Sequence, residues 1–352
     1  MEKLIREWDG EYVISRFDQP TQTWMFIAIH STALGVATGG TRLKSYDTPK
    51  TALRDALRLA QGMTRKFAVI DFPRGGAKAV LAVPGALSPS QREGLMSRYG
   101  KWLADLNGVF ETGADLGTAS GDMDVIARHY PGVFGKSPEN SGAGDPGPET
   151  ALGVFHGIQA SCAHYFKSED LYGLRILVQG AGSVGQALMR RLINAGCEVK
   201  FSDVDSHRVE KIQQELKLPF VQPQAVLSEP CEVFSPCAVG GILNENTIPQ
   251  LSCRVVAGSA NNQLEREEDG ERLHQCGILY APDYVINAGG AIFLPAVEGW
   301  GWSVERARKR IIQIGETLKQ IYHRADAQTI SSARAAEQLA LERLQKGRSE
   351  KD

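Results

Sequence analysis

Absences narrow the reading first. No apolar run in the 352 residues approaches the roughly 20 that a helix needs to cross a membrane. The N-terminal stretch Met1-Glu-Lys-Leu-Ile-Arg-Glu-Trp8 alternates charged with apolar residues, so neither a secretory leader nor an anchor is expected. Net charge is nearly missing: 39 basic against 41 acidic residues leave −2, which offers no surface of one sign to nucleic acid or an anionic membrane. Six cysteines (Cys162, Cys197, Cys231, Cys237, Cys253 and Cys276) include no C-x-x-C pair, and most sit beside apolar residues. They are expected to be buried, reduced thiols of a cytoplasmic protein. The seven histidines show no metal-ligand spacing and no H-E-x-x-H, so no metal is expected. Internal repeats and low-complexity tracts are missing too. The length suffices for two domains, and an apolar content of 42 % is that of an ordinary globular protein.

What is present centres on Gly180-Ala-Gly182-Ser-Val-Gly185. The apolar run Ile176-Leu-Val178 before it predicts a buried strand. Val184, Ala187, Leu188, Leu192 and Ile193 after it recur at helical intervals up to Gly196, a C-terminal stop. A second strand is predicted over 198–202, and Asp203 ends it, 18 residues after Gly185. Strand, turn, helix, strand and acid together form the dinucleotide fingerprint of a Rossmann unit. Gly180 would permit the tight turn, Gly182 would let backbone approach a pyrophosphate, and Gly185 would let helix pack on strand. The helix N-terminus would supply N–H donors and partial positive charge. Asp203 would accept the ribose hydroxyls and repel a 2′-phosphate, so NAD is expected rather than NADP.

Before this unit the pattern predicts a strand over 23–30 and a glycine-rich turn at Gly39-Gly40. A helix is expected from Thr48-Pro49 to about Lys66, then a strand over 67–70 and a turn at Gly75-Gly76. Helices are expected over 90–106 and 123–129. Residues 131–148, dense in Pro, Gly, Ser and Asn, mark a domain boundary. Beyond it come a helix over 150–166, then strands ending in polar loops near Cys237, Asn261 and Asn287. A long helix over 302–324 and an amphipathic stretch over 330–344 close the pattern. Two lysines, Lys66 and Lys78, flank the second Gly-Gly pair, and Asp115 sits in a glycine-bounded loop. By residue type alone each has an ordinary reading as a solvated lysine or a turn residue.

The ordered motifs carry more. Gly39-Gly-Thr-Arg42, Gly62-Met-Thr-Arg-Lys66, Gly75-Gly-Ala-Lys78, Ala114-Asp-Leu-Gly-Thr118, Asp122-Met-Asp124, the glycine fingerprint, Ala260-Asn-Asn-Gln-Leu264 and Ala281 to Gly290 lie within a resemblance that extends from Trp24 to about Leu344. In this order they resemble the glutamate, leucine, phenylalanine and valine dehydrogenases, the shorter leucine and phenylalanine type above all. Ala77 replaces a usual glycine and Ala114 a frequent glutamate, and neither change removes a functional group.

The resemblance implies an α/β fold of two domains with a cleft between them. Residues 1–132, with a returning helix over 328–352, would bind substrate and support a homo-oligomer of two or more copies. Residues 133–327 would form the NAD-binding Rossmann domain. Lys78 and Asp115 would be catalytic. Lys66, the Gly39 and Gly40 amides and Asn261 would hold the substrate carboxylate, and Asn287 the amino group. Thr38, Gly113, Ala291 and Leu294 would surround the side chain. Thr150, Gly180, Gly182, Ser183, Val184, Gly185, Asp203, Cys237, Ala238, Ala260 and Asn262 would hold the cofactor. The implied reaction is reversible oxidative deamination of an L-amino acid to a 2-oxo acid and ammonia, with Lys78 neutral for part of the cycle. Leucine-type enzymes tend to have alanine at the place of Gly113 and valine at that of Ala291, so an aromatic substrate is expected ahead of a branched aliphatic one. A leucine or valine type is the alternative, and a non-catalytic NAD sensor the second. A glutamate enzyme would carry a lysine where Thr38 stands and a serine where Leu294 stands. A 2-hydroxy acid dehydrogenase would need a histidine-based acid/base constellation, which this sequence lacks.

Overall fold

The periodicity that predicts alternating strands and helices produces two sheets, one in each of two compact units. The computed structural model describes residues 2–349. One unit holds the chain up to Gly144, Leu294–Trp302 and the stretch from Ala340 onward; the other holds Asp145–Phe293 and Ser303–Leu339. The division expected at 132/133 is thus drawn at 144/145 by contacts, and a short segment near 300 joins the first unit.

The first unit runs α1 (Glu2–Arg6), β1 (Tyr12–Asp18), β2 (Thr23–Ser31), β3 (Ala37–Lys44), α2 (Pro49–Val69), β4 (Gly75–Ala82), α3 (Pro89–Asp105), β5 (Phe110–Ala114), α4 (Ser120–Ala127) and β6 (Val133–Phe134). The sheet order is β1-β2-β4-β3-β5-β6. β2 pairs antiparallel with β1 and β4; the remaining pairs are parallel. Strand alternation divides the core. Met25, Ile27, Ile29, Ala77, Ala79 and Leu81 face Leu95, Met96 and Tyr99 of α3 and Met123 and Ile126 of α4. Phe26, Ala28 and Val80 face the stripe Ala52, Leu53, Ala56, Leu57 and Ala60 of α2. A capping box between Thr48 and Thr51, with Pro49 at the first helical position, starts that helix. Its stripe covers β2 and β4; β3 carries Thr38, Gly40 and Arg42 on one face, beside Glu111 and Gly113 of β5, with Asp115 just past the end of β5.

Three local expectations change. The Gly39-Gly40 and Gly75-Gly76 pairs lie inside strands rather than in turns. A Cβ on Gly39 would stand 1.7 Å from the Ala77 carbonyl oxygen, and one on Gly76 would stand 2.1 Å from the Thr64 amide nitrogen. These glycines serve close approach of backbones. The run over 67–70 continues α2 instead of forming a strand, because Phe67 and Ala68 extend its buried face; a short apolar run alone does not distinguish the two.

The second unit contains α5 (Gly147–Phe166), β7 (Arg175–Gln179), α6 (Ser183–Asn194), β8 (Glu198–Ser202), α7 (Ser206–Leu216), β9 (Val233–Pro236), β10 (Val255–Val256), α8 (Glu268–Gln275), β11 (Leu279–Tyr280) and α9 (Asp283–Ile286). Its sheet is wholly parallel, in the order β11-β10-β9-β7-β8. The winding reverses between β7 and β9, the place where open α/β sheets bind ligands beyond their carboxyl ends. α10 (Gly289–Leu294) follows. The expected long helix is two, α11 (Val304–Ile312) and α12 (Ile314–Gln328), separated at Gln313. α13 (Ser332–Ser349) begins in the second unit, and its residues from Ala340 belong to the first. There Arg343 donates to the Ala68 and Val69 carbonyls at the end of α2. All six cysteines are free; Cys162, Cys231 and Cys253 are buried as expected, but Cys276 at the end of α8 is exposed.

Candidate active site

On β3, β4 and β5 the two-residue repeat sets side chains in rows. Gly40 lies beside Lys78 and Gly113, and one repeat further on Arg42 lies near Asp115. The Lys78 amine, 6 % exposed, stands 2.8 Å from Asp115 Oδ1. Arg42 Nε donates to Asp115 Oδ2 at 2.9 Å, and its Nη1 reaches Asp55 Oδ2 at 2.9 Å, where the Tyr46 hydroxyl also donates at 2.7 Å. The Asp115 amide donates to Thr118 Oγ1, which itself donates to the Thr41 carbonyl. Only a residue without a side chain fits at position 40: its Cβ would meet Asp115 Cβ at 2.8 Å and Lys78 Nζ at 3.2 Å.

Burial dominates the titration of Lys78 and pushes its ammonium below the ordinary lysine range; the Asp115 carboxylate opposes this and the Arg42 charge adds to it. Arg42 thus supplies a second positive charge near Lys78. Burial alone would raise Asp115, but Lys78 and Arg42 outweigh it and hold the carboxyl below the usual range. The outcome is a carboxylate kept charged against an amine that loses its proton readily.

A second polar group lies one repeat before the Gly40–Gly113 row. Thr38 Oγ1 stands 3.5 Å from Glu111 Oε2, which also takes an ion pair from Arg74. The Arg74 guanidinium, 3 % exposed, lies 4.7 Å from the Trp300 ring centre and 5.6 Å from that of Phe134. Leu294 reaches the same region, 3.5 Å from where a Cβ on Gly135 would sit. Of the expected substrate residues, Thr38, Gly39, Gly40, Gly113 and Leu294 lie in the first unit, with Lys66 in the last turn of α2.

The second unit carries the others. The Asn287 side-chain amide donates to Asn261 Oδ1 at 2.7 Å and to the Ser259 carbonyl at 3.1 Å. Ala291 lies in α10, and a Cβ on its neighbour Gly290 would come within 2.9 Å of Thr150 Oγ1. Gly180 has φ +104, and a Cβ there would touch Ala238 at 2.9 Å, so the loops after β7 and β9 meet at the reversal point. A Cβ on Gly185 would lie 1.9 Å from the Gly180 carbonyl oxygen, whereas one on Gly182 would meet nothing within 4 Å. Ser183 and Val184 open α6, and Ser183 donates to Asp145. Cys237 donates its amide to the Gln179 carbonyl, Ala260 to that of Pro236, and Asn262 holds a left-handed φ of 52. Asp203 ends β8 beside a cavity of about 500 Å³ whose lining includes Val204, Val209, Phe220 and Pro223. Its carboxylate accepts the amides of Ala181 at 2.6 Å and Asp205 at 2.8 Å, with Arg208 Nη1 at 3.8 Å. An open glycine cradle at a helix start with a half-apolar cavity beside an acid fits a dinucleotide.

Comparison with known proteins identifies the family. Residues 19–132 match the sequence model described as Glu/Leu/Phe/Val dehydrogenase, dimerisation domain, and residues 198–351 match that of Glutamate/Leucine/Phenylalanine/Valine dehydrogenase. The chain belongs to the Glu/Leu/Phe/Val dehydrogenase family.

This family member is 40 % identical over 343 residues to leucine dehydrogenase of Geobacillus stearothermophilus, covering 97 % of this chain and 93 % of that one. Over 343 residues it is also 40 % identical to L-tryptophan dehydrogenase of Nostoc punctiforme, covering 97 % and 95 %. The crystal structure of the Nostoc enzyme matches with a TM-score of 0.86 over 99 % of this chain and 100 % of that chain, at 37 % identity. Phenylalanine dehydrogenase of Thermoactinomyces intermedius is 38 % identical over 346 residues, 98 % of this chain and 94 % of that one. The protein is thus an amino acid dehydrogenase. Sequence reading missed the roles of Arg42, Asp55 and Tyr46 around Asp115, and the whole Arg74–Glu111 group. The available signal was parity: residues 38, 40 and 42 share a strand face, as do 111, 113 and 115.

Proposed function

We propose that this dehydrogenase catalyses the NAD-dependent, reversible oxidative deamination of a large apolar L-amino acid, aromatic ahead of branched aliphatic. The observation that carries the chemistry is the buried Lys78 amine 2.8 Å from Asp115. NAD bound at the glycine cradle would accept the hydride that leaves the substrate Cα. Lys66 and the Gly39–Gly40 backbone hold the substrate carboxylate, with Asn261 and Asn287 on carboxylate and amino group. Lys78, neutral at this point, takes a proton from the water that attacks Cα of the iminium. Asp115, kept as a carboxylate by Lys78 and Arg42, carries protons to and from the substrate nitrogen. Ammonia and the 2-oxo acid leave. Thr38, Gly113, Ala291 and Leu294 line the side-chain pocket, and the lack of bulk at 113 and 291 leaves room for a ring. NAD is preferred over NADP through Asp203. The match of residues 19–132 to a dimerisation domain supports assembly with further copies of the chain.

A leucine-type preference is the second reading. A Cβ on Gly113 would stand 3.3 Å from the Phe134 carbonyl oxygen, so this glycine also serves packing, which weakens the volume argument. Following NADH formation over the common L-amino acids, with NAD and then NADP, tests the proposal. Phenylalanine or tryptophan should give the highest kcat/KM and leucine a measurable one, since methylene differences discriminate by only about 1–3 kcal/mol. Valine as best substrate would overturn the volume argument.

A further inference from the structure

The side-chain pocket is not purely apolar. β5 presents Glu111 and Gly113 on one face, with Asp115 just past its end, and β3 presents Thr38, Gly40 and Arg42 beside them. The two glycines leave a bare backbone strip between the Lys78–Asp115 pair and Glu111. Along that strip each two-residue step is about 7 Å. A substrate whose Cα sits at Lys78 and Asp115 can send a fused ring along the strip toward Glu111; an isobutyl group is too short.

Glu111 is unequally used. Oε2 accepts from Arg74 and lies at the limit of reach of Thr38, whereas Oε1 accepts from no described residue. The side chain is 22 % exposed, so Oε1 remains within reach of a ligand. Around it the ring of Trp300 is half-open and that of Phe134 is buried, both against Arg74, whose buried Nε has no partner among the described residues. A charge pair walled by aromatic rings is costly to cover with an alkyl chain, because the carboxylate would lose water and gain nothing. A flat ring bearing an N–H removes that penalty.

Resting on the amino acid dehydrogenase reading, we infer that Glu111 Oε1 is a specificity determinant that accepts a hydrogen bond from the ring N–H of an indole side chain, making tryptophan the preferred substrate class. Arg74 is a positioning residue: it fixes the Glu111 carboxylate and leaves Oε1 open. Gly113 and Gly40 clear the path for the ring.

The test compares L-tryptophan with L-3-(3-benzothienyl)alanine, which replaces the ring N–H by sulfur at nearly constant shape. The unaltered enzyme should favour tryptophan by at least about tenfold in kcat/KM, mainly through KM, the scale of one hydrogen bond to a charged acceptor. In Glu111→Gln, and in the charge-neutral double variant Arg74→Met/Glu111→Leu, that ratio should fall toward one while leucine turnover persists. Equal kcat/KM for the two ring substrates in the unaltered enzyme overturns the inference without touching the dehydrogenase reading, as does a leucine preference over tryptophan. Variants that lower all substrates equally also overturn it, since that is a structural role. Failure of every amino acid to yield NADH would sink the dehydrogenase reading itself, and this inference with it.

Discussion

Replacing Gly40 by alanine would place a methyl group in space that the Lys78–Asp115 pair occupies. The new Cβ would stand 2.8 Å from Asp115 Cβ, 3.1 Å from the Ala114 carbonyl oxygen and 3.2 Å from Lys78 Nζ. Contacts below 3 Å between carbons force movement, and β3 is held between β4 and β5, so the side chains must give way. Overpacking of this kind costs about 1–3 kcal/mol of stability. Displacement of a reacting group by about 1 Å costs on the order of 100-fold in rate. Gly40→Ala is therefore expected to fold, to bind NADH normally, and to lose about two orders of magnitude in kcat. The assay is initial-rate NADH formation at saturating amino acid, with thermal melting and NADH titration as controls. A near-normal kcat would refute the argument that the bare backbone at position 40 keeps the amine and carboxylate together. Loss of NADH binding would show that the damage had spread beyond the first unit.

Lys78→Ala and Asp115→Asn should each lose most of kcat while NADH binding persists, and Lys66→Ala should chiefly raise KM; near-normal turnover in Lys78→Ala would remove its assigned role. The reaction should accelerate as pH rises through the lowered Lys78 value, because the neutral amine is the active form. Asp115 favours the ammonium, so in Asp115→Asn the residual activity should rise at lower pH than in the unaltered enzyme, and a shift to higher pH would contradict the electrostatic reading. Asp203→Ser should gain relative activity with NADP because Arg208, 3.8 Å away, can then meet a 2′-phosphate, and adding Arg208→Ala should abolish the gain. The same change should lower the melting temperature, since Ala181 and Asp205 lose their amide acceptor; each bond to a charged group is worth about 1.5–3 kcal/mol. Gly185→Ala should abolish NADH binding, its Cβ falling 1.9 Å from the Gly180 oxygen; titration with unchanged affinity would exclude that contact as a constraint.

The parallel-sheet unit was legible because its signals are local. Gly180, Gly182, Gly185 and Asp203 sit within one strand-helix-strand stretch, and β7, α6 and β8 lie over or next to the residues that periodicity marks. The Gly39-Gly40 and Gly75-Gly76 pairs misled for the opposite reason: a glycine needed for a turn and one needed for close strand approach look the same until the partner strand is known. Phe67 to Ile70 were ambiguous because a short apolar run suits either element. Lys78 and Asp115 could be named from ordered motifs, but their pairing with Arg42 required the parallel register of β3 with β4 and β5. Arg74 and Glu111 stayed hidden because the contacts uniting them with Trp300 span distant parts of the chain, which no sequence window contains.

The clasp that Arg343 makes on the last turn of α2 reaches further than its own hydrogen bonds. A guanidinium on helix-terminal carbonyls fixes the end of the helix bearing Lys66, three residues before Val69. With Lys66 holding the substrate carboxylate, as proposed, binding strength for the amino acid would answer to a segment nearly three hundred positions away. In directed evolution of this enzyme, drift in that distal stretch would surface as a changed Michaelis constant with chemistry intact, and screens confined to pocket residues would miss it.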